Sequence, residues 1–161
     1  MSKNVLIVLG GLPASGKSTY AEMLVESGIF CSVCPDKIRG ELYGDESIQG
    51  DGKQVFAIAH ARIKDLGQGG NNVVFDATNI NADRRKKFIK EMRPYFDIII
   101  FKWITTPASV CYERNFYRDR QVPSNIIKRM SDNFEVYQVH TALRRAKDSA
   151  SWSQLGRVRR C

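Results

Sequence analysis

Short apolar runs alternate along the chain with stretches in which hydrophobic residues recur every three or four positions, the pattern of a β-α repeat. Val5-Leu6-Ile7-Val8-Leu9 is continuously apolar and reads as a first strand. Behind a glycine-rich turn, Ala21, Leu24 and Val25 mark one face of a helix that Gly28 stops. Ile29 to Cys34 reads as a second strand ending at Pro35, and Lys37 to Tyr43 as a short helix before a polar loop through Gly52. Val55, Ala59, Ile63 and Leu66 form a longer helical face, broken by Gly67, Gly69 and Gly70. Asn72-Val73-Val74-Phe75-Asp76 is apolar on both faces, which predicts a central, parallel strand. Asn81 is placed to cap the next helix, with Asp83 in its first turn and Phe88, Ile89 and Met92 facing inward until Pro94. Asp97 to Trp103 is a fourth strand, and Thr106 as N-cap with Pro107 as first helical residue opens a helix to about Arg114. An Arg-rich connector, Asn115 to Val122, leads through Pro123 into a long helix marked by Ile127, Met130, Phe134 and Tyr137.

The alternation predicts an α/β fold: a parallel sheet of four to five strands with helices on both faces and right-handed crossovers. With 161 residues, 43% of them hydrophobic, the chain suits one domain spanning 1–161, with a partly flexible tail from about 149 to 161. In such sheets ligands bind beyond the carboxyl ends of the strands. The turn after the first strand, Pro35-Asp36 and Asp76-Ala77-Thr78-Asn79 all fall at those ends, so they share one rim.

The turn after the first strand carries the strongest chemistry. Gly11-Leu12-Pro13-Ala14-Ser15-Gly16-Lys17-Ser18 fits G-x-x-x-x-G-K-[ST] between a strand and a helix, the context a P-loop requires. Glycines let backbone N–H groups wrap a phosphate, Lys17 adds a charge for the β and γ phosphates, and the helix N-terminus faces the same anion. Ser18 offers its hydroxyl to Mg²⁺, so the cofactors expected are ATP or another NTP with Mg²⁺. Asp36 and Arg39, three residues apart at a strand-to-helix junction, share one helical face. A carboxylate there can take the proton of an acceptor hydroxyl, and a guanidinium can hold an anionic part of the acceptor. Arg114, Arg118 and Arg120 form a short arginine lid, about 114–122, that can act as an arginine finger in cis.

A net charge of +8 points to a polyanionic partner. Lys3 before the first apolar run is not a leader, because that run leads straight into the P-loop, and no run has the length of a membrane span. Cys31-x-x-Cys34 is half of a zinc pattern with no second half, and on a strand the two side chains point to opposite faces. No zinc is expected; Cys31, Cys34, Cys111 and Cys161 read as reduced thiols of a cytoplasmic protein.

Taken in order, the motifs resemble the kinase domain of phage-type polynucleotide 5′-kinases, in the adenylate-kinase-like branch of P-loop phosphotransferases. The resemblance rests on Gly11 to Thr19, Asp36-x-x-Arg39, Asp76-Ala77-Thr78-Asn79-x-Asn81 with Arg84-Arg85, and Arg114-Asn115-x-x-Arg118 with Val122-Pro123. It implies that Gly11, Pro13, Ala14, Ser15, Gly16, Lys17, Ser18 and Thr19 bind the donor nucleotide, with Arg114 and Arg120 assisting. It implies that Asp36 is the general base for a 5′-hydroxyl, Arg39 meets the acceptor's 3′-phosphate, and Arg118 engages the donor phosphates. Asp76, Thr78 and Asn79 fall on the substrate side. Asp76 is left with two roles, orienting Arg39 or joining Ser18 at Mg²⁺ through water. The partners so implied are nucleic-acid 5′-OH ends in end repair, in the cytoplasm of a host cell if the chain is phage-encoded. Nothing resembles the phosphatase motif that accompanies many such kinases. The alternatives are a small-molecule kinase of the same branch, of antibiotic, nucleotide-sugar or adenylylsulfate type, and a nucleotide-gated binding or motor module. Against the last, the third strand ends Phe75-Asp76-Ala77 without an Asp-Glu pair to activate a hydrolytic water.

Overall fold

The computed structural model of the chain describes residues 3–133. Four strands and six helices follow one another: β1 (Val5–Gly10), α1 (Lys17–Glu26), β2 (Phe30–Val33), α2 (Pro35–Tyr43), α3 (Gly52–Gln68), β3 (Asn72–Phe75), α4 (Ala82–Met92), β4 (Ile98–Trp103), α5 (Ala108–Phe116) and α6 (Ser124–Asp132). Every strand pair is parallel, in the order β2-β3-β1-β4. β3 is central, as its uninterrupted apolar run predicts. Phe134, Tyr137 and the 149–161 tail lie outside the described residues.

Strand alternation sorts the core into two layers. Leu6, Val8, Val33, Val73 and Phe75 face Ile38 of α2, Val55, Ala59 and Ile63 of α3, and Phe88 and Met92 of α4. Val5, Ile7, Leu9, Phe30 and Val74 face Ala21 of α1, with Tyr20 and Leu24 beside it. Helices therefore cover both faces. The edge strand β4, paired with β1 alone, is only half-buried. At the rim opposite the strands' carboxyl ends, Asn4 and Asp97 exchange backbone–side-chain bonds of 3.0 and 2.9 Å, and the Asn72 side chain accepts from Val5 N–H at 2.8 Å. These ties fix strand register where no chemistry is expected.

Three local departures from the pattern each have a physical reason. α2 begins at Pro35, two residues before the expected start, because a proline fits the first helical position, and this draws Asp36 into the first turn. α3 runs through Gly67: a β-carbon there would stand 2.7 Å from the Phe96 ring, so this glycine permits close packing and does not break the helix. Thr106 is not a cap; Pro107 occupies that position with no side-chain cap bond, and the Thr106 hydroxyl goes elsewhere. Among the described residues Cys34 and Cys111 are free thiols, in line with the sequence reading, and Cys161 lies outside the described residues. No described helix is long and apolar enough to cross a membrane.

Candidate active site

The P-loop leaves β1 and turns into α1 with a backbone that depends on glycine. Gly11 has φ +153 and Gly16, the residue before α1, has φ +101. A β-carbon on Gly11 would stand 2.7 Å from the Ile104 carbonyl oxygen. Among the described residues two non-glycines have positive φ, Ala14 at +60 and Asn79 at +44, and both lie on this rim. Such conformations cost free energy and gather where surrounding contacts over-determine the backbone.

Those contacts come from both sides. Gly11 N–H donates to the Thr78 carbonyl at 3.0 Å, and the Asn79 amide donates to the Leu9 carbonyl at 2.6 Å. Arg85 then locks the Asn79 segment, donating to the Asn79 and Ile80 carbonyls at 2.8 and 2.6 Å while its guanidinium packs over Phe101 and Trp103. On the other side, Ile104 N–H donates to the Gly10 carbonyl at 2.8 Å, and the Thr106 hydroxyl donates to the Ser15 carbonyl at 2.7 Å. Of the two residues expected on the substrate side, Thr78 thus accepts from the P-loop and Asn79 ties to the end of β1. Arg85 and Thr106 were missed as bracing residues. Helical spacing from Ala82 through Arg85 to Phe88 and Met92 carried the signal for Arg85, whereas nothing in the sequence reveals the Thr106 bond.

Lys17 is buried at the start of α1, and its ammonium donates to the Leu12 carbonyl at 2.6 Å. Burial lowers its pKa below the ordinary value; Asp76, Cys111 and Asp36 oppose that, and Arg118 adds to it. Asp76 is buried at the end of β3, where its N–H donates to the Val33 carbonyl at 2.9 Å. Burial raises its carboxyl above the usual range, against the hydrogen bond from Ser18 and the charge of Lys17. Asp76 therefore stands near Ser18, a carboxylate beside a hydroxyl. Two hard oxygen donors of this kind fit Mg²⁺, which takes one or two carboxylates and completes its shell with phosphates and waters.

The other half of the rim is cationic around one carboxylate. Arg39 donates to Asp36 Oδ1 at 2.5 Å, and Arg120 lies 3.3 Å from Asp36 Oδ2 and 3.7 Å from Glu46. Arg39 is largely buried, and its Nε has no hydrogen-bond partner. Arg120 was expected at the donor nucleotide; its described contacts are with Asp36 and Glu46. Arg114 lies beside the P-loop, its guanidinium 3.9 Å from where a β-carbon on Gly16 would stand. Buried Asn115 closes the base of the Arg-rich loop: it donates to the Val122 carbonyl and accepts from Val122 N–H, both at 2.8 Å.

A family model described as an AAA domain, AAA_33, matches residues 6–137, so the chain belongs to this family. With its fold and motif it is a P-loop kinase domain, and a nucleotide is the ligand such a fold holds. The transcription factor bHLH140 of Arabidopsis thaliana is 26% identical over 119 residues, 73% of this chain and 12% of that protein. A chain of the Pnkp1/Rnl/Hen1 complex superposes with a TM-score of 0.65 at 25% identity, covering 76% of this chain and 42% of that one. A gluconokinase from Sinorhizobium meliloti 1021 superposes with a TM-score of 0.61 at 20% identity, covering 87% and 80%. The chain thus spans a small part of its curated relative and less than half of the Pnkp1-complex chain.

Proposed function

We propose that the chain transfers the γ-phosphate of ATP or another NTP to the 5′-hydroxyl of DNA or RNA. The observation that carries this reading is the Asp36 carboxylate held between Arg39 and Arg120 on the P-loop rim, with Arg39 Nε still lacking a partner. A base flanked by guanidiniums suits an alcohol whose neighbours are phosphates, as at a polynucleotide end. The +8 charge and the likeness to a Pnkp1 complex support the same substrate.

In this reading the P-loop N–H groups and Lys17 bind the donor phosphates, whose charge restores the proton affinity that burial takes from Lys17. Mg²⁺, when bound, draws negative charge from those phosphates, with Ser18 and Asp76 as the residues that would hold it. Asp36 takes the proton of the 5′-hydroxyl; its oxygen bonds the γ-phosphorus as the bond to the bridging oxygen breaks, and the nucleoside diphosphate leaves. Arg118 acts on the charge of the transferring group, since it is near enough to bear on Lys17. Arg39 and Arg120 hold the acceptor's phosphate.

Asp36→Asn keeps size and loses the proton acceptor, so kcat falls by about 10²-fold or more with little change in KM. Arg39→Ala raises KM most for acceptors bearing a 3′-phosphate. Equal effects of Arg39→Ala on acceptors with and without that phosphate would refute the clamp. A small-molecule kinase is the second reading, favoured by the 80% coverage of the gluconokinase chain.

A further inference from the structure

Phe116 and Tyr117 are the most exposed large apolar side chains among the described residues, 69% and 79% accessible. Aromatic surface of this size stabilises a fold only when buried, and two adjacent aromatics left in water mark a binding surface more often than a folding need. They are not on a loose segment. The loop that follows them is closed by Asn115 on Val122, and Gln121 donates to the Phe116 carbonyl at 2.8 Å. The rings meet edge to face, 5.3 Å apart at 89°.

The same segment carries Arg114, Arg118 and Arg120 against one acidic residue, Asp119. Arg120 reaches Asp36 at 3.3 Å, so the segment that carries the aromatic pair also touches the carboxylate read as the acceptor's base. At most about 10 Å of chain separates the Cα atoms of Tyr117 and Arg120. Aromatic faces flanked by arginines are the chemistry by which proteins hold single-stranded nucleic acid, stacking on bases while the cations follow the backbone.

We propose that Phe116 and Tyr117 form a stacking platform for a base of the acceptor strand, within the first few nucleotides after the end being phosphorylated. This rests on the polynucleotide reading and adds to it the place where the strand runs. Stacking on an aromatic contributes about 1–3 kcal/mol per base, whatever the base. The platform therefore favours oligonucleotides over mononucleotides without sequence preference.

The test compares KM for ATP, for a mononucleoside 3′-phosphate and for single-stranded 5′-OH oligonucleotides in the unmodified chain and in Phe116→Ala, Tyr117→Ala and Tyr117→Leu. Tyr117→Trp is the conservative control. The platform predicts a KM for oligonucleotides raised about 5- to 150-fold by the alanine and leucine variants, near-normal with Tyr117→Trp, and unchanged KM for ATP and the mononucleotide. Unchanged oligonucleotide KM in a folded Tyr117→Ala protein would overturn it. So would a rise confined to ATP, which would assign the platform to the donor base, or an equal rise for all acceptors, which would mean damage to the loop. If the unmodified chain phosphorylates mononucleotides but no oligonucleotide, the acceptor reading fails together with the platform; if it phosphorylates oligonucleotides while the variants match it, the platform alone fails.

Discussion

Replacing Asn115 with alanine removes both bonds that close the Arg-rich loop at its base. Each is 2.8 Å long, one satisfies the Val122 N–H and the other its carbonyl, and Asn115 is itself 5% exposed. At about 0.5–1.5 kcal/mol net per hydrogen bond, the loop loses about 1–3 kcal/mol of closure. That loss is local, because α5 and α6 keep their own backbone bonds and Ile127 and Cys111 remain buried. Native-state hydrogen exchange reads it directly: the Val122 amide is expected to exchange about 5- to 150-fold faster, while amides of β1 and β3 keep their rates. Trypsin should cut sooner after Arg118 and Arg120, and phosphoryl transfer should fall by about tenfold or more as those arginines lose their placement. Unchanged Val122 exchange in folded Asn115→Ala protein would refute the closure, and faster exchange with full activity would show that the loop's arginines do not act in transfer.

Thr106→Val, near-isosteric, removes the hydroxyl that donates to the Ser15 carbonyl at 2.7 Å, so KM for ATP rises by up to about tenfold while Thr106→Ser stays near normal; a loss of stability with no change in ATP affinity would refute a bracing role at the nucleotide site. Lys17→Ala abolishes transfer and leaves the fold intact, and near-normal turnover in the folded variant would sink the P-loop assignment. Asp76→Asn separates function from stability. Burial raises the Asp76 pKa even with Ser18 and Lys17 opposing, so the ionised carboxylate costs folding free energy at neutral pH, and that cost fades as pH falls through the raised value toward the ordinary 3.8. The variant without nucleotide should therefore melt higher than the parent at pH 7, the gain should vanish on acidification, and transfer should be lost; a lower melting temperature at pH 7 would contradict the burial cost.

The sheet was legible because its strands are apolar enough to be unmistakable and the helices between them carry clear periodicity, as in Val55, Ala59 and Ile63. Boundaries were less so. Pro35 reads equally as a strand end or a helix start, and only packing decides; Gly67 looks like a break until Phe96 is seen against it. At the site, motifs with backbone reasons for their residues, such as Gly11 and Gly16, were visible at once. Long-range bonds were not: Thr106 to Ser15 joins residues far apart in sequence, and Arg85 looks like a surface cation until its stack on Phe101 and Trp103 appears. Arg120 shows the same limit, since a lid arginine can swing to either substrate and its contact with Asp36 spans residues far apart in sequence.

Transfer of γ-labelled phosphate from ATP, measured as kcat/KM on a panel of 5′-OH oligonucleotides, mononucleoside 3′-phosphates and small alcohols across a salt series, tests the proposed activity most directly. Label should appear at the 5′ end of the oligonucleotides, with efficiency rising with length, and the longer acceptors should lose affinity most steeply as salt rises, because their backbones displace counterions from the basic surface. A small alcohol phosphorylated far better than any oligonucleotide, with equal salt slopes for short and long acceptors, would contradict the polynucleotide reading and make the chain a small-molecule kinase.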